Sequence, residues 1–160
     1  MGKAILICGK VCSGKTTYAQ TLVKERGAIL LSCDEITLLF GQYLGDRHNE
    51  IVERTEKYLF RKAVELLPKG VNIILDWGFW QKSKRDEATA FFMERGFAVE
   101  WHYVQVSDGI WHRNLAERNS GFTGANDDFY FIDDGMADEF GRIFEEPRSG
   151  EYDFLYENNR

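Results

Sequence analysis

The amino-acid sequence predicts an α/β fold, a doubly wound parallel sheet with helices packed on its faces. Three observations predict it. Short, nearly continuous apolar runs of the kind buried on both faces of a parallel sheet recur at "KAILIC" (3–8), "AILLS" (28–32) and "VNIILD" (71–76). Segments of helical period separate these runs. The junction after the first run is "GKVCSGKTT" (9–17), a glycine-bearing loop that opens directly into an amphipathic segment.

The bulk properties fit one domain. With 160 residues, 44% of them hydrophobic and 29% charged, the chain can bury a single core and has neither a disordered nor a fibrous composition. It contains no apolar run approaching the ~18 residues of a membrane span and no leader-like start, so a cytoplasmic protein is expected. Cys8, Cys12 and Cys33 are an odd number, which favours reduced thiols, and His48, His102 and His112 lie at no zinc-like spacing. A net charge of −6 and a pI near 5.1 disfavour broad adhesion to nucleic acid and favour a small partner.

Taken in order, the first run leads into a helix that ends near Gly27, and the second run delivers Asp34 to the carboxyl edge of the sheet. Asp34 also suits a helix N-cap ahead of "EITLLF". Ile51, Val52, Thr55, Tyr58, Leu59, Ala63, Leu66 and Leu67 form one helical stripe, stopped by "LPKG" (67–70). Asp76 closes the third run. Ser83 and Asp86 resemble a capping pair for a helix that buries Ala88, Phe91 and Phe92 and ends at Gly96. "FAVEWHYV" (97–104) alternates, with Phe97, Val99, Trp101 and Tyr103 on one face, and predicts a less enclosed strand. The stretch 119–131 is the most irregular. After it, Met136, Phe140, Ile143 and Phe144 stand at helical spacing before Pro147, and "YDFLY" (152–156) is a candidate closing strand.

The loop fits GxxxxGK[ST] at Gly9, Gly14, Lys15 and Thr16. Glycines let backbone N–H groups wrap an anion, and the following helix turns its positive end towards it. A lysine at this position reaches the β and γ phosphates, and the Thr hydroxyl binds Mg²⁺. Gly9, Cys12, Ser13, Gly14, Lys15, Thr16 and Thr17 are therefore the expected ATP-binding residues of a Walker A loop.

"GKVCSGKTT", "LLSCDEI" after the second run, "ILDWGF" after the third, "HRNLAERN" after the fourth and "FEEP" with Glu151 near the end come in an order that resembles the P-loop kinase group of AAA-type ATP-binding proteins, which includes zeta toxin, chloramphenicol phosphotransferase and polynucleotide kinase relatives. The resemblance implies a P-loop NTPase three-layer fold, a five-stranded sheet with a small helical lid over about residues 108–131. It implies an ATP-dependent kinase acting on a hydroxyl, with Asp34 as general base, Lys15 on the phosphates, and Thr16 and Asp76 on Mg²⁺. It further implies that Arg113 and Arg118 stabilise the transferring phosphoryl and that Asn119 joins the nucleotide site. No NKxD, LSGGQ or motor-type helical subdomain is present. Thr37 stands where polynucleotide kinase relatives often carry arginine, and "KSKR" (82–85) is the only basic cluster near the acceptor side. The acceptor expected is a small-molecule hydroxyl; a nucleic-acid 5′-hydroxyl, or nucleotide binding without transfer, are the alternatives. Trp77, Phe79 and Trp80 beside Asp76 suit either an aromatic wall or core.

Overall fold

The computed structural model describes residues 1–124 and 128–160. Five strands, β1 (Ala4–Cys8), β2 (Ile29–Ser32), β3 (Ile73–Asp76), β4 (Val99–Val106) and β5 (Phe154–Asn158), form one sheet in the order β2-β3-β1-β4-β5. Every pairing is parallel. Side-chain alternation sorts the core into two layers. Ile5 and Ile7 of β1 pack with Ile74 and Val104 against Ala19 and Leu22 of α1 (Lys15–Arg26). Leu6, Cys8 and Leu75 pack on the opposite face against α3 (His48–Leu66), through Leu59 and Ala63, and α4 (Lys82–Met93), through Ala88 and Phe92. Strand β1 is wholly apolar, and β3 is apolar up to Asp76, because both faces are covered, the three-layer arrangement expected of a P-loop fold.

The chain runs from β1 outwards to β2 and then back across to β4 and β5, so the strand order reverses around β1. A crevice opens at the carboxyl ends of strands where such a reversal occurs. The register sets what meets there: Ile7 pairs with Asp76, and Ser32 pairs with Asp76 from the other side. The loop after Cys8, the short helix α2 (Cys33–Thr37) after Ser32, and the segment after Asp76 therefore leave the sheet at one level. Helices α5 (Asp108–Ser120) and α6 (Asp134–Ile143) share a small core of their own, Trp111, Leu115, Ile132 and Ala137. Of the irregular stretch 119–131, residues 125–127 lie outside the described residues. Among the described residues, no helix is long and apolar enough to cross a membrane.

Three expectations need correction. The alternating strand β4 is enclosed on both sides: Trp101 and Tyr103 join the α3/α4 core, while Glu100 and His102 are buried on the other side. These polar residues are tolerated because they are bonded, His102 to both Glu100 (2.9 Å) and the Tyr18 hydroxyl (2.7 Å), and Glu100 also to Lys3. Ser83 and Asp86 do not cap α4. Its N-cap is Gln81; Asp86 binds Lys82, and Glu145 accepts the Lys82 backbone N–H at 2.9 Å. The closing strand begins two residues later than the apolar pattern indicated, at Phe154, where pairing with His102 starts.

Candidate functional site

The loop between β1 and α1 is shaped as an anion cradle. Cys12 (φ 57) and Gly14 (φ 94) both take left-handed backbone, which turns successive N–H groups inwards. Gly9 permits close packing at the loop's root, where a Cβ would stand 2.6 Å from the Val104 carbonyl oxygen. Helix α1 starts at Lys15 with Gly14 as N-cap and no side-chain cap, so its first amides are not taken up by a capping side chain and its positive end faces the loop. Lys15 Nζ donates to the Lys10 carbonyl at 2.6 Å. Burial holds the Lys15 ammonium below the usual lysine range, opposed by the charges of Asp76, Cys12 and Asp34. Lys15 makes no ion pair among the described residues, and an anion in the cradle would give this partly buried cation a direct partner.

Asp76, 5% exposed, lies beside the Thr16 hydroxyl, which favours its charged form. Burial pushes its carboxyl above the usual range, and Lys15 draws it back. Thr16 and Asp76 thus present two hard oxygen donors beside the cradle, a set that fits Mg²⁺. Opposite them Asp34 faces the open cleft. Enclosure by the cleft walls pushes its carboxyl up, opposed chiefly by Arg118, while the nearby Asp76 charge adds to the rise. Asp34 is not a helix cap: the N-cap of α2 is Ser32, and among the described residues the Asp34 carboxylate has no hydrogen bond or ion pair. Its charge is unspent.

Helix α5 braces the cradle from above. Trp111 Nε1 donates to the Val11 carbonyl (2.7 Å) and Asn114 Nδ2 to the Cys12 carbonyl (3.1 Å). Arg118 lies 3.5 Å from Cys12 Sγ and donates through Nε to the Tyr130 carbonyl at 3.0 Å, which fixes its guanidinium over the cleft. The strap of residues 128–132 then crosses to the far wall. There the Tyr130 hydroxyl donates to Thr37 (2.7 Å), the Tyr43 hydroxyl to the Phe131 carbonyl (2.7 Å), and Gln42 bonds both Phe129 and Phe131.

The cleft has a volume of about 2870 Å³, more than one small ligand of the usual ~300–1000 Å³ class requires, and is shared by the phosphate loop, Asp34, Asp76 and Arg118. Of the predicted residues, Gly9 and the buried Ser13 do not line the cleft, and Arg113 and Asn119 are not brought to it. Arg113 is exposed on α5 and faces Glu117 at 3.9 Å, and Asn119 spends its amide on both the N–H and the carbonyl of Ile132. Asn114 and Asn158 take the places that sequence reasoning missed; Asn158 Nδ2 donates to the Ser13 carbonyl at 2.9 Å from the end of β5. Thr37 is buried beneath Tyr130. In "KSKR", Lys82 and Lys84 pair with Asp86 and Glu87, and Arg85 is buried against the carbonyls of Phe79 and Trp80. Trp77 and Phe79 are core residues that also line the cleft, and the Trp80 ring is tilted against Phe140 at 4.8 Å.

Comparison with known proteins agrees with this construction. No curated protein matches the chain in sequence. Among solved structures, a sugar kinase from Janibacter sp. superposes with a TM-score of 0.65 at 17% identity, over 98% of this chain and 86% of that one. The APS kinase CysC of Mycobacterium tuberculosis, in complex with AMPPNP and APS, gives 0.66 at 17% identity over 99% and 90%. Kti12 of Chaetomium thermophilum, in complex with ADP-AlF3, gives 0.73 at 15% identity over 97% and 88%. The family profile described as an AAA domain matches residues 5–129. The chain therefore belongs to this AAA domain family and is a P-loop kinase-like protein.

Proposed function

We propose that this protein is an ATP-dependent kinase that transfers the γ-phosphoryl group to a hydroxyl of a small molecule. The observation that carries it is Asp34, a carboxylate with no capping or ion-pairing duty, set across the cleft from the phosphate cradle and close enough to Lys15, Asp76 and Arg118 to feel their charges. A protein that only binds nucleotide has no use for a free base there. Neighbours of this fold that act on a sugar or on APS support the same reading.

Bound Mg·ATP supplies the transferable phosphoryl and part of its charge neutralisation. The loop amides and the start of α1 hold the phosphates, and Lys15 leaves the Lys10 carbonyl for them. Thr16 and Asp76 would hold the Mg²⁺. Asp34 accepts the proton of the acceptor hydroxyl as its oxygen bonds to phosphorus, while the bond from phosphorus to the bridging oxygen breaks and ADP leaves. Arg118 faces the charge that spreads over the transferring group. Among the described residues, the basic cluster 82–85 is not free to face Asp34, since Lys82 and Lys84 pair with acids and Arg85 is held by backbone carbonyls. This favours a small acceptor over a nucleic-acid end.

ADP release, measured against a panel of hydroxyl compounds above the water-hydrolysis background, tests the proposal. At least one compound is expected to raise it in the wild type and not in Lys15→Ala. Tight Mg·ATP binding with no stimulation by any alcohol would favour a binding protein.

A further inference from the structure

Between α3 and α4 the cleft extends away from Asp34 into a region that the phosphotransfer machinery does not use. One residue there has no structural task. Glu56 lines the cleft in the middle of α3, flanked one turn on either side by Val52 and Phe60, and is half-buried. Its carboxylate makes no hydrogen bond and no ion pair among the described residues, while its neighbours are all matched: Glu53 with Lys57, and Glu87 with Lys84. The wall beside it is aromatic. Phe60 stacks on Phe91 at 5.0 Å and packs against Trp77 at 5.5 Å, and all three line the cleft.

A partly buried carboxylate without a partner is costly to keep, and burial pushes Glu56 up to about 6, opposed by Lys84 and reinforced by Glu53 and Glu87. A ligand ammonium is the group that repays this cost, since it pairs with the carboxylate and is attracted to aromatic faces. A sugar hydroxyl can donate a hydrogen bond to the carboxylate but brings no countercharge, and a phosphate is repelled by it. We propose that Glu56, with Phe60 and Trp77, forms a subsite for a protonated amine on the phosphate acceptor. The subsite rests on the kinase function proposed above and narrows its substrate class to an amine-bearing alcohol. The spacing follows from the helix: Cys33, the residue before Asp34, meets the Val52 carbonyl at 4.0 Å, and Glu56 lies one turn beyond Val52, roughly 6 Å along α3 at 1.5 Å per residue. The amine and the reacting hydroxyl are thus separated by on the order of 10 Å.

A matched pair of probes tests this: aminooctanol, which spans that distance with one ammonium and one hydroxyl, and octanediol, which differs only in the charge. Binding is measured by calorimetry to the wild type and to Glu56→Gln, with AMPPNP and without, the AMPPNP affinity being read from the same samples. The wild type at pH 8 is expected to bind aminooctanol at least about ten-fold more tightly than octanediol, an ion-pair preference on the order of 1.4 kcal/mol. Glu56→Gln should abolish the preference. Acidification of the wild type through pH 6 should erode it as Glu56 takes up a proton, with Glu53, Glu87, Lys84 and Cys33 the groups facing it. Equal binding of the two probes, or a preference that survives both Glu56→Gln and acidification, overturns the subsite. If AMPPNP binds normally, only the amine subsite falls; loss of AMPPNP binding instead removes the kinase reading, while an amine preference in its absence still upholds the subsite.

Discussion

Asp34 couples charge to stability and, in the proposed reaction, to rate. Its carboxyl is pushed up by the cleft walls, so the folded chain holds that proton more tightly than the unfolded chain does. The stability this confers is present at acid pH and is lost as pH rises from the ordinary aspartate range through the raised value. Asp34→Asn should therefore melt at or above the wild-type temperature at neutral pH, where loss of a cap would have lowered it. Cys12 is a second case. Cys8 and Cys33 are buried, with their thiols pushed up, Cys8 to about 12, whereas Cys12 lies partly open in the cradle. Iodoacetamide should label Cys12 first, and Mg·ATP should slow that labelling several-fold; equal rates with and without nucleotide would place the nucleotide elsewhere. At this scale the sequence was legible wherever the backbone dictates chemistry. Gly9, Gly14, Lys15 and Thr16 sit in a fixed local frame, Asp76 ends β3, and Asp34 follows the end of β2 by two residues. Asn158 was invisible because it reaches Ser13 only through the pairing of β5 with β4.

At the scale of elements, the turn of α5 decides which of its residues reach the cleft. Residues 113 and 118 are five apart, about 140° around a helix, whereas 114 and 118 are four apart and share a face. That geometry was available in "HRNLAERN", and it already placed Asn114, not Arg113, beside Arg118. Arg118→Ala should lower kcat by roughly 10²-fold with a smaller effect on ATP binding, while the exposed Arg113→Ala stays near wild type. Because Arg118 is the strongest influence lowering the Asp34 pKa, its removal should also shift the acidic limb of the kcat profile to higher pH. An unmoved limb would disconnect the two groups. The strap 128–132 is tied to the acceptor wall by Tyr130 and Thr37. Tyr130→Phe leaves the buried Thr37 hydroxyl with only its weak 3.4 Å bond to the Asp34 carbonyl, at a cost of about 1 kcal/mol. A fall of about 2–4 °C in Tm, with faster hydrogen exchange over residues 37–43, is the expected outcome. The capping pair assigned to Ser83 and Asp86 failed for a related reason. The start of α4 is held by Glu145, a contact across 63 residues that no local pattern encodes.

For the whole molecule, the strand order explains why a loop, two acids and an arginine from four separate stretches meet. The reversal around β1 gathers the ends of β1, β2 and β3 at one level, and α5 folds over them. Apolar runs sufficed to give β1, β2, β3 and the parallel three-layer architecture. The burial of β4 was hidden, because Glu100 and His102 are enclosed only through bonds to Lys3 and Tyr18, residues distant in sequence. The central claim, that this cleft transfers phosphate with Asp34 as the base, is tested most directly by one comparison. With the best acceptor found in the hydroxyl panel, single-turnover transfer from Mg·ATP is measured in the wild type and in Asp34→Asn, alongside ATP affinity and Tm. The account predicts a loss of at least about 10²-fold in transfer with ATP affinity unchanged and Tm not lowered. Transfer at the wild-type rate in Asp34→Asn would contradict it.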